Sequence, residues 1–122
     1  MEKFSWATII VRNMEESLKF YQEIVGLSLN RSFTTSEGAE FAFLGAGGTE
    51  VELIHDPSRD DLYSGQGIAL GFHVDSLDEM MEYVKGKGLP IHSGPFQPNP
   101  STRFFYVLDP DGLKIQFVEV SE

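Results

Sequence analysis

Two stretches of this chain can be laid over one another almost residue for residue, and that repetition limits the fold more than any other feature. Trp6 to Arg12 is rich in apolar and β-branched residues (Trp6, Thr8, Ile9, Ile10, Val11), the pattern of a buried strand. It ends at Asn13, a suitable helix N-cap with Glu16 in the capping-box position, and Met14, Leu18, Tyr21 and Val25 then recur at helical spacing until Gly26. Three shorter β-rich runs follow: Leu27 to Phe33, Ala39 to Leu44 and Thr49 to Ile54, with Gly45-Ala46-Gly47-Gly48 as the last turn. From Gly67 the order starts again. A strand at Gly67 to Val74 leads to Ser76 and Glu79 as the second capping pair. At an offset of 63, Val11, Met14 and Leu18 fall on Val74, Leu77 and Met81. At an offset of 64, the glycine turn falls on Asp109-Pro110-Asp111-Gly112, and Val51-Glu52-Leu53-Ile54 falls on Ile115-Gln116-Phe117-Val118. Agreement of strand, cap, stripe, turn and final strand in one order marks an internal repeat.

One βαβββ unit written twice predicts an α+β fold. In each unit the helix covers one face of a four-stranded sheet, and the other face needs a second cover, for which the twin unit is the natural candidate. The expected architecture is a U-shaped, eight-stranded open barrel around a trough. It forms a single domain over 1–122, with module one at 1–55, a polar, turn-rich linker at 56–66 and module two at 67–122. Gly94 to Ser101, with three prolines, is expected to be irregular and to act as a flap at the trough's mouth.

Composition narrows the function. The chain has 122 residues and no cysteine, so a disulfide framework, a thiolate metal site and a cysteine nucleophile are excluded. Nineteen acidic against nine basic side chains give a net charge of −10, which repels phosphate backbones and anionic membrane surfaces. No nucleic-acid or membrane partner is expected. The start of the chain does not read as a secretory signal, so the cytoplasm is the expected location. The charge suits either solubility or a cationic guest.

Two segments carry a resemblance that covers nearly the whole chain. Asn13-Met14-Glu15-Glu16-Ser17-Leu18-Lys19-Phe20-Tyr21 with Gly26-Leu27 is one, and Arg103 leading into Asp109-Pro110-Asp111-Gly112-Leu113-Lys114-Ile115 is the other. Together they resemble the vicinal-oxygen-chelate superfamily, which includes glyoxalase I, bleomycin-resistance proteins, fosfomycin-resistance enzymes and extradiol dioxygenases. The resemblance implies four inward-facing ligand positions, usually His or Glu, one on the first and one on the last strand of each half. They correspond here to Trp6, Glu52, Ala69 and Gln116, and the repeat offsets pair them independently. Only Glu52 is a good ligand for a divalent metal. Gln116 could lend a carbonyl oxygen, whereas Trp6 and Ala69 have no donor, so no metal or other cofactor is expected; an ion at Glu52 and Gln116 is the alternative. Dimerisation is implied by the resemblance alone.

The remaining candidates are weighed residue by residue. His73 shares strand parity with Ala69 but lies ~13 Å along the strand from it, too far to replace a ligand there. It is expected to line the trough. His55 is assigned to a turn, and His92 has no evident partner. Glu52, among Val51, Leu53 and Ile54, must be solvated or paired; it either faces the trough as a binding or proton-transferring group or forms a salt bridge, for which Arg103 is the candidate. Trp6 is either core or an aromatic wall for a flat or cationic guest. The expected ligand-binding set is thus Trp6, Glu52, Ala69, His73, Arg103 and Gln116, with Glu52 as the one catalytic candidate. Three functions follow: metal-free binding of a small organic molecule, a glyoxalase I-like lyase or isomerase working through Glu52, or a non-catalytic partner-binding module.

Overall fold

The structure is a computed structural model, and it describes residues 3–59 and 67–121. The chain divides into two compact units, one on each side of the segment 60–66, which lies outside the described residues, as does most of the expected linker. Unit 1 contains β1 (Trp6–Ile10), α1 (Met14–Lys19), β2 (Leu29–Thr34), β3 (Glu40–Leu44) and β4 (Glu50–His55). Unit 2 contains β5 (Ala69–His73), α2 (Leu77–Gly86), β6 (Ser93–Asn99), β7 (Thr102–Leu108) and β8 (Lys114–Val120). The βαβββ order of both halves is as the repeat predicts. The sheets run β1-β4-β3-β2 and β5-β8-β7-β6, so the same topology occurs twice. In each, the first strand pairs in parallel with the last, and the register repeats too: Trp6 faces Glu50, and their counterparts Ala69 and Lys114 face each other.

Both predicted caps form. The Asn13 side chain accepts from the Glu16 N–H at 2.9 Å, and the Ser76 hydroxyl accepts from the Glu79 N–H at 3.2 Å, satisfying a first-turn donor that has no partner within the helix. Helix α2 has a further acceptor in Glu119, whose carboxylate takes the Leu77 N–H at 2.7 Å. The core of unit 2 lies between α2 and its sheet, where Leu77, Val84, Phe105, Val107, Ile115 and Phe117 are all fully buried. In unit 1 the corresponding layer holds Val11, Tyr21, Leu44 and Leu53. Each such side chain contributes roughly 1.5–3 kcal/mol by leaving water.

The first helix departs from its expected stripe. After Lys19 the chain widens into a π-helical turn over Phe20–Ile24, which brings both Phe20 and Tyr21 into the core at 5.1 Å, edge to face. Ser17 is buried as well, while Leu18 and Val25 are only half-buried. Gly26 then takes φ of 86° and lets the Leu27 N–H reach back to the Tyr21 carbonyl at 2.9 Å, the closure that a left-handed glycine permits.

The stretch expected to be an irregular flap is instead mostly a strand. Residues 93–99 form β6, antiparallel to β7 and shifted in register between Ser93 and Phe96 and between Phe96 and Asn99. Its prolines are tolerated because β6 is the outer strand of its sheet, where a missing N–H breaks few ladder bonds. The Asp-Pro-Asp-Gly turn forms as predicted, with Gly112 at φ of 90°. Asp109, 4% exposed, closes the turn by accepting from the N–H groups of Asp111 and Leu113, each at 2.9 Å.

Candidate functional site

A strand alternates its side chains, so each sheet has one face against its helix and one turned away from it. In unit 1 the away-facing positions carry Trp6 and Thr8 on β1, Glu50 and Glu52 on β4, Phe41 and Phe43 on β3, and Arg31 and Phe33 on β2, matched by cross-strand pairing. Trp6 is 45% exposed and meets Phe43 edge-on, with ring centroids 5.3 Å apart. At that exposure the indole is not part of the buried core of unit 1. On the other side of Phe43, the Arg31 guanidinium lies 3.9 Å from the ring centroid and forms an ion pair with Glu50 at 3.3 Å. Asn30 also donates to Glu50 at 3.0 Å. Glu52 is 8% exposed, and its Oε1 accepts the Thr8 hydroxyl at 2.5 Å. A carboxylate so placed is stabilised by a charge-assisted hydrogen bond from the neighbouring parallel strand.

The away-facing surface of unit 2 has a different chemistry. Ala69, Gly71 and His73 on β5 lie opposite Lys114, Gln116 and Val118 on β8, and Phe104 and Tyr106 on β7 complete the row. Gln116 donates from Nε2 to the Tyr106 hydroxyl at 3.3 Å, while its Oε1 occupies space beside Gly71, within 2.9 Å of where a Cβ would stand. Phe96 packs beside Phe104 and Tyr106, with centroids 5.5 and 6.4 Å away. With Gln97 and Pro98 these rings border an open concavity of about 500 Å³.

Most of the sequence-predicted positions are on these faces: Trp6 and Glu52 in unit 1, and Ala69, His73 and Gln116 in unit 2. Arg103 is a correction. It pairs with Glu119 across β7 and β8, on the face that packs against α2, and its guanidinium bonds Asp78 of that helix at 3.1 Å. Odd parity along β7 turns it away from Phe104 and Tyr106. The partner of Glu52 is Thr8, two residues after Trp6 on the same strand, which alternation in β1 makes visible once Glu52 and β1 are paired. His55 is also corrected: it is the last residue of β4 rather than part of a turn, and its Nδ1–H donates to the Val11 carbonyl at 3.1 Å. His92 has a neighbour after all in the Ser93 hydroxyl, 3.3 Å from Nδ1. Arg31 and Glu50, the ion pair of unit 1's face, and the aromatic group of Phe96, Phe104 and Tyr106 were not singled out from sequence. The alternation of Phe104 with Tyr106 would have flagged the last.

Comparison with known proteins identifies the class. Residues 3–117 match the glyoxalase/bleomycin resistance protein/dioxygenase superfamily, and the chain belongs to it. Among its relatives, a lactoylglutathione lyase of Neisseria meningitidis is 37% identical over 118 residues, covering 89% of this chain and 84% of the relative. Another from Haemophilus influenzae is 35% identical over 122 residues, covering 89% and 86%. Glyoxalase I from Zea mays superposes over 98% of this chain with a TM-score of 0.86 at 26% identity, although the chain spans only 45% of that enzyme. An antibiotic-binding protein, TnmS3 from Streptomyces, shares the fold at a TM-score of 0.76 and 21% identity, over 99% of this chain and 98% of that one.

The metal that enzymes of this superfamily hold does not fit the side chains present. At the four corresponding positions, unit 1 offers an indole packed on Phe43 and one carboxylate engaged by Thr8. Unit 2 offers a methyl group and an amide already bonded to Tyr106. No group of three or more His, Cys, Asp and Glu side chains able to hold an ion occurs among the described residues. A single carboxylate and a neutral amide fall well short of a borderline divalent ion's usual donor set.

Proposed function

We propose that this chain binds a small organic molecule and does so without the superfamily's usual metal. The observation that carries this reading is the content of the four ligand positions: Trp6 stands half-exposed where the first donor belongs, and Ala69 leaves the third position without one. An exposed indole set against Phe43 offers a flat apolar wall, and Glu52 beside it favours a guest with a cationic or hydrogen-bonding group. Elemental analysis after exhaustive dialysis tests the metal-free reading. Less than a tenth of an equivalent of any divalent ion is expected; a stoichiometric ion lost on Glu52→Ala overturns it. Trp6, the chain's single tryptophan, supplies the binding readout: ligands of the face should change its emission, whereas a broad small-molecule library that never does so supports a partner-binding module instead.

A second reading, an isomerase of the lactoylglutathione lyase type, is supported by the 37% identity to proteins of that name. Glu52 would then be the proton-moving group, since the Thr8 hydroxyl engages only its Oε1 and leaves Oε2 for a substrate proton. This reading requires turnover of a hemithioacetal with added nickel or zinc, abolished in Glu52→Gln. Absence of turnover under those conditions removes it.

A further inference from the structure

The away-facing surface of unit 2 is chemically distinct from that of unit 1, and we infer that it is a subsite for a planar aromatic molecule bearing an anionic or carbonyl oxygen. The inference rests on the small-molecule-binding reading and adds to it a place and a ligand class.

Three observations carry it. The first is shape: Phe96, Pro98, Phe104 and Tyr106 border an open concavity of about 500 Å³, a volume that suits a one- or two-ring guest. Phe96 is 45% exposed, so its ring is available for contact.

The second is the direction of a proton. Tyr106 accepts from Gln116 Nε2, and the Gln116 amide is wedged beside Gly71, where no Cβ competes for its place. A phenol that accepts at one lone pair turns its own O–H elsewhere. The Tyr106 hydroxyl is therefore a donor available to an oxygen acceptor, with Gln116 as a positioning residue.

The third is charge. Lys114 holds its ammonium 5.5 Å from the Tyr106 ring centroid and makes no ion pair among the described residues. No carboxylate occurs at the described strand positions of this face. The repeat sharpens the contrast, because Lys114 stands where unit 1 has Glu50, and Glu50 is neutralised by Arg31. In a chain of net charge −10, a cation 5.5 Å from a ring that lines the concavity, with no carboxylate at the described strand positions of that face, selects for a negative or strongly polar oxygen.

Titration calorimetry and ¹⁵N-detected chemical shifts with two probes on the full chain test the assignment: 2-naphthoate and 2-naphthylmethylammonium, equal in ring system and opposite in charge. Naphthoate is expected to bind at least about tenfold more tightly, with shifts concentrated in β6, β7 and β8. Tyr106→Phe and Lys114→Met should each weaken it about fivefold or more, and Phe96→Ala should weaken both probes. Equal or stronger binding of the ammonium with shifts in β6, β7 and β8 overturns the inference, as does failure of both probes to bind; ammonium shifts confined to β1 and β4 belong to the Trp6 and Glu52 face. Naphthoate binding that perturbs Trp6 and is unaffected by Tyr106→Phe and Lys114→Met also overturns it, while leaving the small-molecule-binding reading intact. That reading fails separately, by a retained stoichiometric metal.

Discussion

Neighbouring residues 104 and 105 offer a sharp test of how unit 2 divides its two faces. Phe105 is fully buried against Phe117, with ring centroids 5.5 Å apart, on the side of β7 that packs on α2. Truncating it to alanine removes a complete ring from a filled layer, and a Phe→Ala cavity costs about 3–5 kcal/mol. With a urea dependence of about 1.5 kcal/mol per molar, the midpoint should fall by about 2–3 M. Against a total stability of about 5–15 kcal/mol, that is a third or more of the whole unless the protein lies at the upper end of the range. Phe104 is one position along and half-buried on the opposite face, where it meets Phe96 and Tyr106. Its loss should cost only about 1 kcal/mol, the scale of cross-strand aromatic contacts. Urea unfolding followed by far-UV circular dichroism separates the two variants, and Trp6 emission reports unit 1 alongside. Equal losses for Phe104→Ala and Phe105→Ala would falsify the register, because a one-residue slip exchanges the faces of the whole strand.

Smaller perturbations test individual devices. Thr8→Val removes the hydroxyl that donates to Glu52 and should lower stability by about 1–3 kcal/mol in the same urea assay; no loss would mean that water replaces the threonine without cost. Asp109→Ala leaves the N–H groups of Asp111 and Leu113 without their acceptor and should cost about 2–4 kcal/mol in thermal unfolding, more than Asn13→Ala or Ser76→Ala at about 1 kcal/mol each. The Asp56 carboxyl is held below its ordinary value by the Ser58 hydroxyl and then by the Ser58 N–H. Folding therefore favours its ionised form. That contribution is complete above the unfolded-state value and fades as pH falls through the lower folded one, so Asp56→Asn should slightly flatten the acid side of a stability–pH curve.

The repeat, the caps and the turn were legible in the residues because each depends on neighbours within a few positions. Asn13 with Glu16, Ser76 with Glu79, and Asp109 through Gly112 are local hydrogen-bond problems with few solutions. The four ligand positions come instead from the family resemblance, and the repeat only pairs them, Trp6 with Ala69 and Glu52 with Gln116. Arg103 was misread because its role depends on which face β7 turns to α2, a question of parity against a helix distant in sequence. Gly94 to Ser101 was read as a flap because its three prolines disfavour a strand, and only the sheet's order shows that β6, which takes in two of them, is an outer strand.

What the sequence determined by itself was the architecture of each half, since that follows from residue type at repeated spacing; the scarcity of metal donors at the four ligand positions follows only from the family resemblance. The tertiary structure decided which partners those residues have: Thr8 on Glu52, Arg31 on Glu50 and Phe43, Gln116 on Tyr106, and Lys114 beside an aromatic concavity. These contacts join strands whose register is set by burial of the opposite face. The physical reason is that a sheet assigns its polar neighbours across the ladder, at separations in sequence that no local pattern encodes.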